Sequence, residues 1–340
     1  MAALPCLFGQ KHRYDEPKPQ VLPLPPEPPM ALAAETASLD FHISPLLRSG
    51  GLAAQIRHSL NDLIRDTRGE TIIKLRAYVA GAGDARRVQA EVSTLFTERK
   101  LPLPVLSVIQ VGALEEEAAQ VVIEATVSTR RAVNPNGLAF FAGQTAASFA
   151  QAVQRLRDSA SAASVAPDHV LKATCFTGRL DSISAARATL QAAFPKADLD
   201  LAQAVRDPLS DVATCEAIGQ LSQPPAEGPV VLFRSQRVTL VNCPRLVFTG
   251  LQLSFGSYLD DAHEALARLE RAASALQPVQ TPVKIDVFSL DPSGGSALRK
   301  TSTVPASTFT VQTIEGLPAI DATAGIEAVL ALNVPTPAER

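Results

Sequence analysis

The sequence predicts an α+β chain of three tandem units, each of roughly a hundred residues. Three recurrences predict it. One is a strand carrying a single glutamate among apolar and small residues: residues 120–126 (QVVIEAT) with Glu124, 211–219 (DVATCEAIG) with Glu216, and 322–331 (ATAGIEAVLA) with Glu327. Another lies roughly fifty residues upstream of each, a strand with a central lysine. Its copies are residues 72–79 (IIKLRAYV) with Lys74, 170–176 (VLKATCF) with Lys172, and 282–288 (PVKIDVF) with Lys284. The third is an amphipathic helix pattern before each lysine strand and, in the first two units, after it, clearest at 53–65 with apolar residues at i, i+4, i+7 and i+8.

In chain order, residues 1–37 read as a disordered tail, with Pro17, Pro19, Pro23, Pro25, Pro26, Pro28 and Pro29 crowding its second half. Proline lacks a backbone N–H and favours extended polyproline II, so a linker is expected, with Met1 and Met30 both open as the start. The first unit spans 38–131: a strand at 39–44, a helix at 53–65 on Ile56, Leu60, Leu63 and Ile64, the lysine strand, a helix at 84–99 capped by Asp84, and closing strands at 106–111 and 120–126. The second, 132–222, repeats this with helices at 148–160 and 181–194, the latter opened by Asp181. Residues 223–229 (QPPAEGP) form a linker. The third unit, 230–334, begins with a hairpin, has its first helix at 260–276, and carries Pro292, Gly294 and Gly295 where a second helix would be shortened or weak. Residues 335–340 are a C-terminal tail.

Composition excludes several function classes. A formal net charge of −3 gives no basic face for nucleic acid. No apolar run approaches the ~18 residues of a membrane helix, and residues 1–10 lack the pattern of a signal peptide, so no membrane and a cytoplasmic, reducing setting are expected. Cys6, Cys175, Cys215 and Cys243 form no CxxC pair, and the five histidines form no HxxxH or HExxH, so neither a metal nor another cofactor is expected. Cys175 and Cys215 read as buried thiols on neighbouring strands.

Residues 53–63 (AAQIRHSLNDL), 72–99 (IIKLRAYVAGAGDARRVQAEVSTLFTER) and 121–131 (VVIEATVSTRR) resemble the Rid family, the YjgF-like proteins also called endoribonuclease L-PSP or translation-inhibitor proteins. The resemblance extends over about 39–334. It implies a chorismate mutase-like α+β fold, and an intramolecular pseudo-trimer with sheets inside, helices outside and ligand clefts between units. Such a chain would be a monomer, or a dimer joined through helices.

Deaminating Rid proteins hold a substrate carboxylate with a strand arginine and handle water with a glutamate two residues before the strand glutamate. A guanidinium fork suits a carboxylate as no apolar group can. The matching positions here are Leu106, Leu199 and Phe309 for the arginine, and Val122, Thr214 and Gly325 for the glutamate. The family's SGQ turn falls at Ser44, Gly143 and Thr249–Gly250. These ten positions are the candidate cleft residues.

Glu124, Glu216 and Glu327 have two readings. Burial would raise a carboxyl into the range of a general acid, which makes them catalytic candidates. The recurrence of Lys74, Lys172 and Lys284 instead makes them halves of structural ion pairs, and this reading is favoured. Arginines at Arg179, Arg206 or Arg299 are candidates to replace the missing one. The expected function is therefore a Rid-like protein without imine deaminase activity, binding a small keto, amino or aromatic acid between units or acting as a scaffold. The alternative is a divergent hydrolase of the same superfamily, an enamine/imine deaminase or a chorismatase-like enzyme. Chorismatases also build a trimer-like assembly from longer chains of this fold, though no chorismatase motif is present.

Overall fold

The computed structural model describes residues 25–256, 258–276, 279–301 and 309–332. The proline-rich stretch up to residue 24 and the C-terminal tail lie outside them. In chain order the elements are β1 (Ala31–Glu35), β2 (Leu39–Ile43), α1 (Leu52–Asp66), β3 (Thr71–Ala80), α2 (Arg86–Glu98), β4 (Val105–Val111), β5 (Ala113–Leu114) and β6 (Val121–Ser128). There follow β7 (Leu138–Ala146), α3 (Phe149–Ala162), β8 (Val170–Thr177), α4 (Ile183–Ala193), β9 (Asp198–Gln203) and β10 (Ala213–Gln220). The last stretch holds β11 (Val230–Phe233), β12 (Val238–Val241), β13 (Arg245–Thr249), β14 (Gln252–Ser254), α5 (Tyr258–Ser274), β15 (Val279–Ser289), α6 (Pro292–Thr301), β16 (Phe309–Thr313) and β17 (Ala324–Leu332).

These strands form three mixed sheets with one ordering. In the first, β6 lies antiparallel between β2 and β3, and β3 runs parallel to β4. In the second, β10 lies between β7 and β8, and β8 runs parallel to β9. In the third, β17 lies between β13 and β15, and β15 runs parallel to β16. Alternation along the strands explains the layering. Leu75, Ala77 and Val79 of β3 pack with Ile56, Leu60 and Leu63 of α1 and Val88 and Val92 of α2. Lys74, Arg76 and Tyr78 face the other way, toward the other two sheets.

That shared face is stacked in layers. Phe41, Phe140 and Phe248 belong to one apolar cluster drawn from all three sheets. Tyr78, Phe176 and Phe288 belong to a second. The lysine and glutamate side chains lie in the strands between the two.

Several expectations are corrected. The tail does not run to residue 37: β1 pairs antiparallel with β13, and Gly250 N–H donates to the Met30 carbonyl at 2.9 Å. Alanine-rich ALAAE has little β propensity of its own, and the unpaired edge of β13 recruits it. The β11–β12 hairpin, assigned to the third unit, hydrogen-bonds to β7 and extends the second sheet. Asp84 and Asp181 are not the caps. Helix α2 starts from Ala85 and α4 from Ser182, although Asp84 does accept from the Arg86 N–H at 3.1 Å. Residues 292–301 form a helix despite Gly294 and Gly295, because Pro292 opens it and the Asp291 carboxylate accepts from Ser293 N–H at 2.7 Å. Cys175 and Cys215 are bonded as a disulfide, because the β8–β10 register sets them directly opposite.

Candidate functional site

The three lysine–glutamate pairs join different sheets in a cycle. Lys172 of the second sheet bonds Glu124 of the first. Lys284 of the third bonds Glu216 of the second at 2.8 Å. Lys74 of the first bonds Glu327 of the third, also at 2.8 Å. All six side chains are 12% exposed or less, so these are buried pairs, in which each charge depends on its partner.

Two residues after each lysine, one position differs in every sheet: Arg76, Thr174 and Asp286. Arg76 is the hub. Its guanidinium bonds Glu327, reaches Asp286 at 2.5 Å and Glu124 at 3.4 Å, lies 3.5 Å from Glu216, and donates to the Tyr78 hydroxyl at 3.2 Å. Thr174 donates to Glu124 at 2.9 Å, and Ser107 donates to Glu327. A cavity of about 40 Å³ opens between these groups, room for a few waters and for no metabolite.

Four cations (Lys74, Arg76, Lys172, Lys284) meet five carboxyls (Glu124, Asp200, Glu216, Asp286, Glu327). Burial and the neighbouring Glu124 push the Asp200 carboxyl well above its usual range, and burial lowers the Lys74 ammonium against the pull of Glu327. Burial would raise Glu124 too, but Lys172 and Arg76 outweigh it and hold the carboxyl at about 2. Burial and Asp286 raise Glu216, while Arg76 and Lys74 overcome burial and hold Glu327 below the carboxylate range. Glu124 and Glu327 are held as anions, which suits them to ion pairing, whereas Glu216 is raised although it bonds Lys284.

The cleft candidates fall at the seams between sheets. Gly143 is not in a turn but within β7 at a register shift, and its N–H donates to Thr310 Oγ1 at 2.6 Å, bringing β7 against β16 of the third sheet. A Cβ on Gly250 would lie 2.9 Å from the Leu106 carbonyl, so the third turn meets β4 of the first. Strand β2 packs against β9, completing the same cycle. The hydroxyls at these positions are already engaged. Ser44 accepts from Ile123 N–H at 3.0 Å, Thr249 accepts from Ala328 N–H at 2.9 Å, and Thr214 pairs with Thr145 at 2.9 Å. Leu106 and Gly250 line a cavity of about 250 Å³, and residues 27–30 form one wall of it. Val122 and Phe309 are buried apolar groups, Leu199 is half-buried, and a Cβ on Gly325 would meet Leu251. None of the three seams gathers an arginine and a glutamate at the family's positions.

Reading the repeats missed Arg76, Asp200 and Asp286, because comparing copies highlights what they share. It also missed a cluster on the first seam. His42 Nε2 lies 3.1 Å from Asp40. Asp40 and Asp198 raise the His42 imidazole, and burial pushes Asp198 up to about 6. The signal was present in the DFH of β2, an acid and a histidine on one strand face. Among the described residues no group of His, Cys, Asp and Glu is arranged to hold a metal, and no helix is long and apolar enough to cross a membrane.

No family model and no curated protein sequence matches the chain. Solved structures do. A protein of unknown function of the Rid family, YyfB from Yersinia pestis, is 19% identical over 26% of this chain and 78% of its own, with a TM-score of 0.22. A chorismatase is 12% identical over 88% of this chain and 99% of its own, with a TM-score of 0.25. A cyanuric acid hydrolase is 12% identical over 87% of this chain and 100% of its own, with a TM-score of 0.24.

Proposed function

We propose that the chain is a Rid-like protein of three tandem units, closed as a pseudo-trimer within one polypeptide, which binds a small organic acid between units and lacks imine deaminase chemistry. The cyclic transfer of each lysine to the preceding unit's glutamate supports the closure. The observation that carries the functional reading is at the seams. Leu106, Leu199 and Phe309 offer no guanidinium, Val122, Thr214 and Gly325 offer no carboxylate, and the strand glutamates are held by lysines. The test is hydrolysis of 2-aminoacrylate beside a deaminating Rid protein as control. Turnover at background is expected, and turnover within tenfold of the control (the size of effect one general acid–base group can exceed) overturns the reading. The closure makes the protein a monomer of 35.9 kDa, or a dimer through its helices, in sedimentation.

One observation favours a divergent hydrolase as the second reading. Asp198, at about 6 beside His42, is poised for proton transfer near neutral pH. In that case a hydrolytic activity found by substrate screening would fall on Asp198→Asn, and an activity untouched by that change would exclude this seam.

A further inference from the structure

Two arginines outside the ionic layer combine a buried Nε with no carboxylate partner among the described residues. Arg237 follows the β11–β12 turn with a left-handed backbone, φ 55°. Its carbonyl accepts from Ala142 N–H at 2.9 Å, which fixes it beside Gly143 within β7. Its Nη2 donates to the carbonyl of Phe309, on β16 of the third sheet. Arg299 sits in the last turn of α6, which packs on β16. The Nε atoms of both arginines are buried and have no hydrogen-bond partner among the described residues.

The contrast with other arginines is informative. Arg76 has its carboxylates, Arg179 has Asp211, Arg187 has Glu115 and Arg268 has Glu264. Burial pushes the Arg237 guanidinium down and Arg299 pushes it further, while burial pushes Arg299 down. Taking cations out of water without a counter-charge is costly, and setting two of them together is more so. The group that would remove this cost is an anion with several oxygens, since each guanidinium presents a planar fork of donors.

We propose that Arg237 and Arg299 form an anion-binding site at the seam between the second and third sheets, taking the carboxylate or phosphate of a small metabolite. The site rests on the reading above in placing the ligand between units, and it names which seam and which chemical group. Neither arginine occupies the mid-strand position held by Phe309. The hairpin and α6 bring them to the seam from outside.

The test is thermal unfolding of the full chain at constant ionic strength, titrating pyruvate in one arm and inorganic phosphate in the other against chloride. The expected result is a saturable rise in Tm of about 2–4 °C or more with at least one anion. A rise with pyruvate alone assigns a carboxylate, and a rise with phosphate alone assigns a phosphate. Arg299→Met is expected to abolish the rise and to leave the Tm in chloride equal or higher. Arg237→Lys, which keeps the charge and loses the fork, is expected to weaken the anion response. Arg179→Met, at a paired arginine elsewhere, is expected to retain it. No saturable rise with either anion, or a rise that survives Arg299→Met, overturns the site. So does a lower Tm in chloride for Arg299→Met with Arg299→Lys unchanged, which would mean that the chain supplies its own counter-ion. The imine assay is read separately. Turnover there defeats the non-deaminase reading and leaves the arginine site standing, and a missing anion response does the reverse.

Discussion

The shared inner face of the sheets and the seams between them are built from the same strands, yet their chemistry is opposite. On β3, β8 and β15 the inward positions keep Lys74, Lys172 and Lys284, each bonded to a glutamate of a neighbouring sheet. One strand over, β4, β9 and β16 carry Leu106, Leu199 and Phe309, which pack toward the helices of their own sheets, with Leu106 also lining the cavity beside Gly250. A buried charge must keep its partner or strand it, so the inner face cannot change one residue at a time. The candidate positions on the outer strands carry no such charge, and they differ from one sheet to the next. The difference teaches where function can reside: in whatever distinguishes one seam from the next.

The largest expected effect breaks the inner face at its hub. Arg76→Met leaves Glu327, Asp286, Glu124 and Glu216 short of a cation at once, so urea unfolding should show a loss of at least the ~3–5 kcal/mol typical of a broken buried pair. A loss below about 1 kcal/mol would mean that the layer is not energetically connected. Next comes Glu124→Ala, expected to cost about 3–5 kcal/mol, against about 0.5 or less for the exposed Glu117→Ala. Equal midpoints for these two variants would count against the pairs. The sign with pH follows from the depressed carboxyl. The contribution of Glu124 is complete above its unfolded value of 4.5 and is lost as the pH falls through about 2. The gap between wild type and Glu124→Ala should therefore narrow in strong acid.

Asp200→Asn tests the raised carboxyl. Burial and Glu124 push it toward its neutral form, so the amide should change stability by under about 1.5 kcal/mol at pH 7. A cost as large as that of Glu124→Ala would require an ionised Asp200. The smallest effect is at the first seam. Asp198 is raised from 3.8 to about 6 by burial, with Asp40 adding to the rise and His42 and Lys172 opposing it. A carboxyl raised on folding costs stability as the pH climbs from its unfolded to its folded value. Asp198→Asn should match wild type below pH 3.8 and melt higher above about 6, and a variant less stable at pH 8 would contradict the assigned shift.

Much of this contrast is legible in the sequence. A lone lysine or glutamate inside a β-branched run demands a partner, and three copies of each made the pairs visible. Arg76 and Asp286 were hidden in the same runs, IIKLRAYV and PVKIDVF, because each occurs in one copy only. The strand at 31–35 was hidden by composition, since ALAAE forms a strand only when an edge awaits it. The 230–241 hairpin was readable as a local turn, but its pairing with β7 is a long-range choice that no local pattern encodes. Arg299 could be named as a stray arginine, while its meeting with Arg237 depends on where α6 and that hairpin come to rest.

The Lys74–Glu327 pair joins the first sheet to the third and is the link on which the proposed pseudo-trimer depends. A double-mutant cycle on Lys74→Met and Glu327→Gln, run beside one on Lys172→Met and Glu124→Gln, measures it directly. The account predicts coupling at both pairs of similar size, within the ~0.5–3 kcal/mol of residues in one network. Coupling at Lys172–Glu124 with none at Lys74–Glu327 would show an open chain and contradict it.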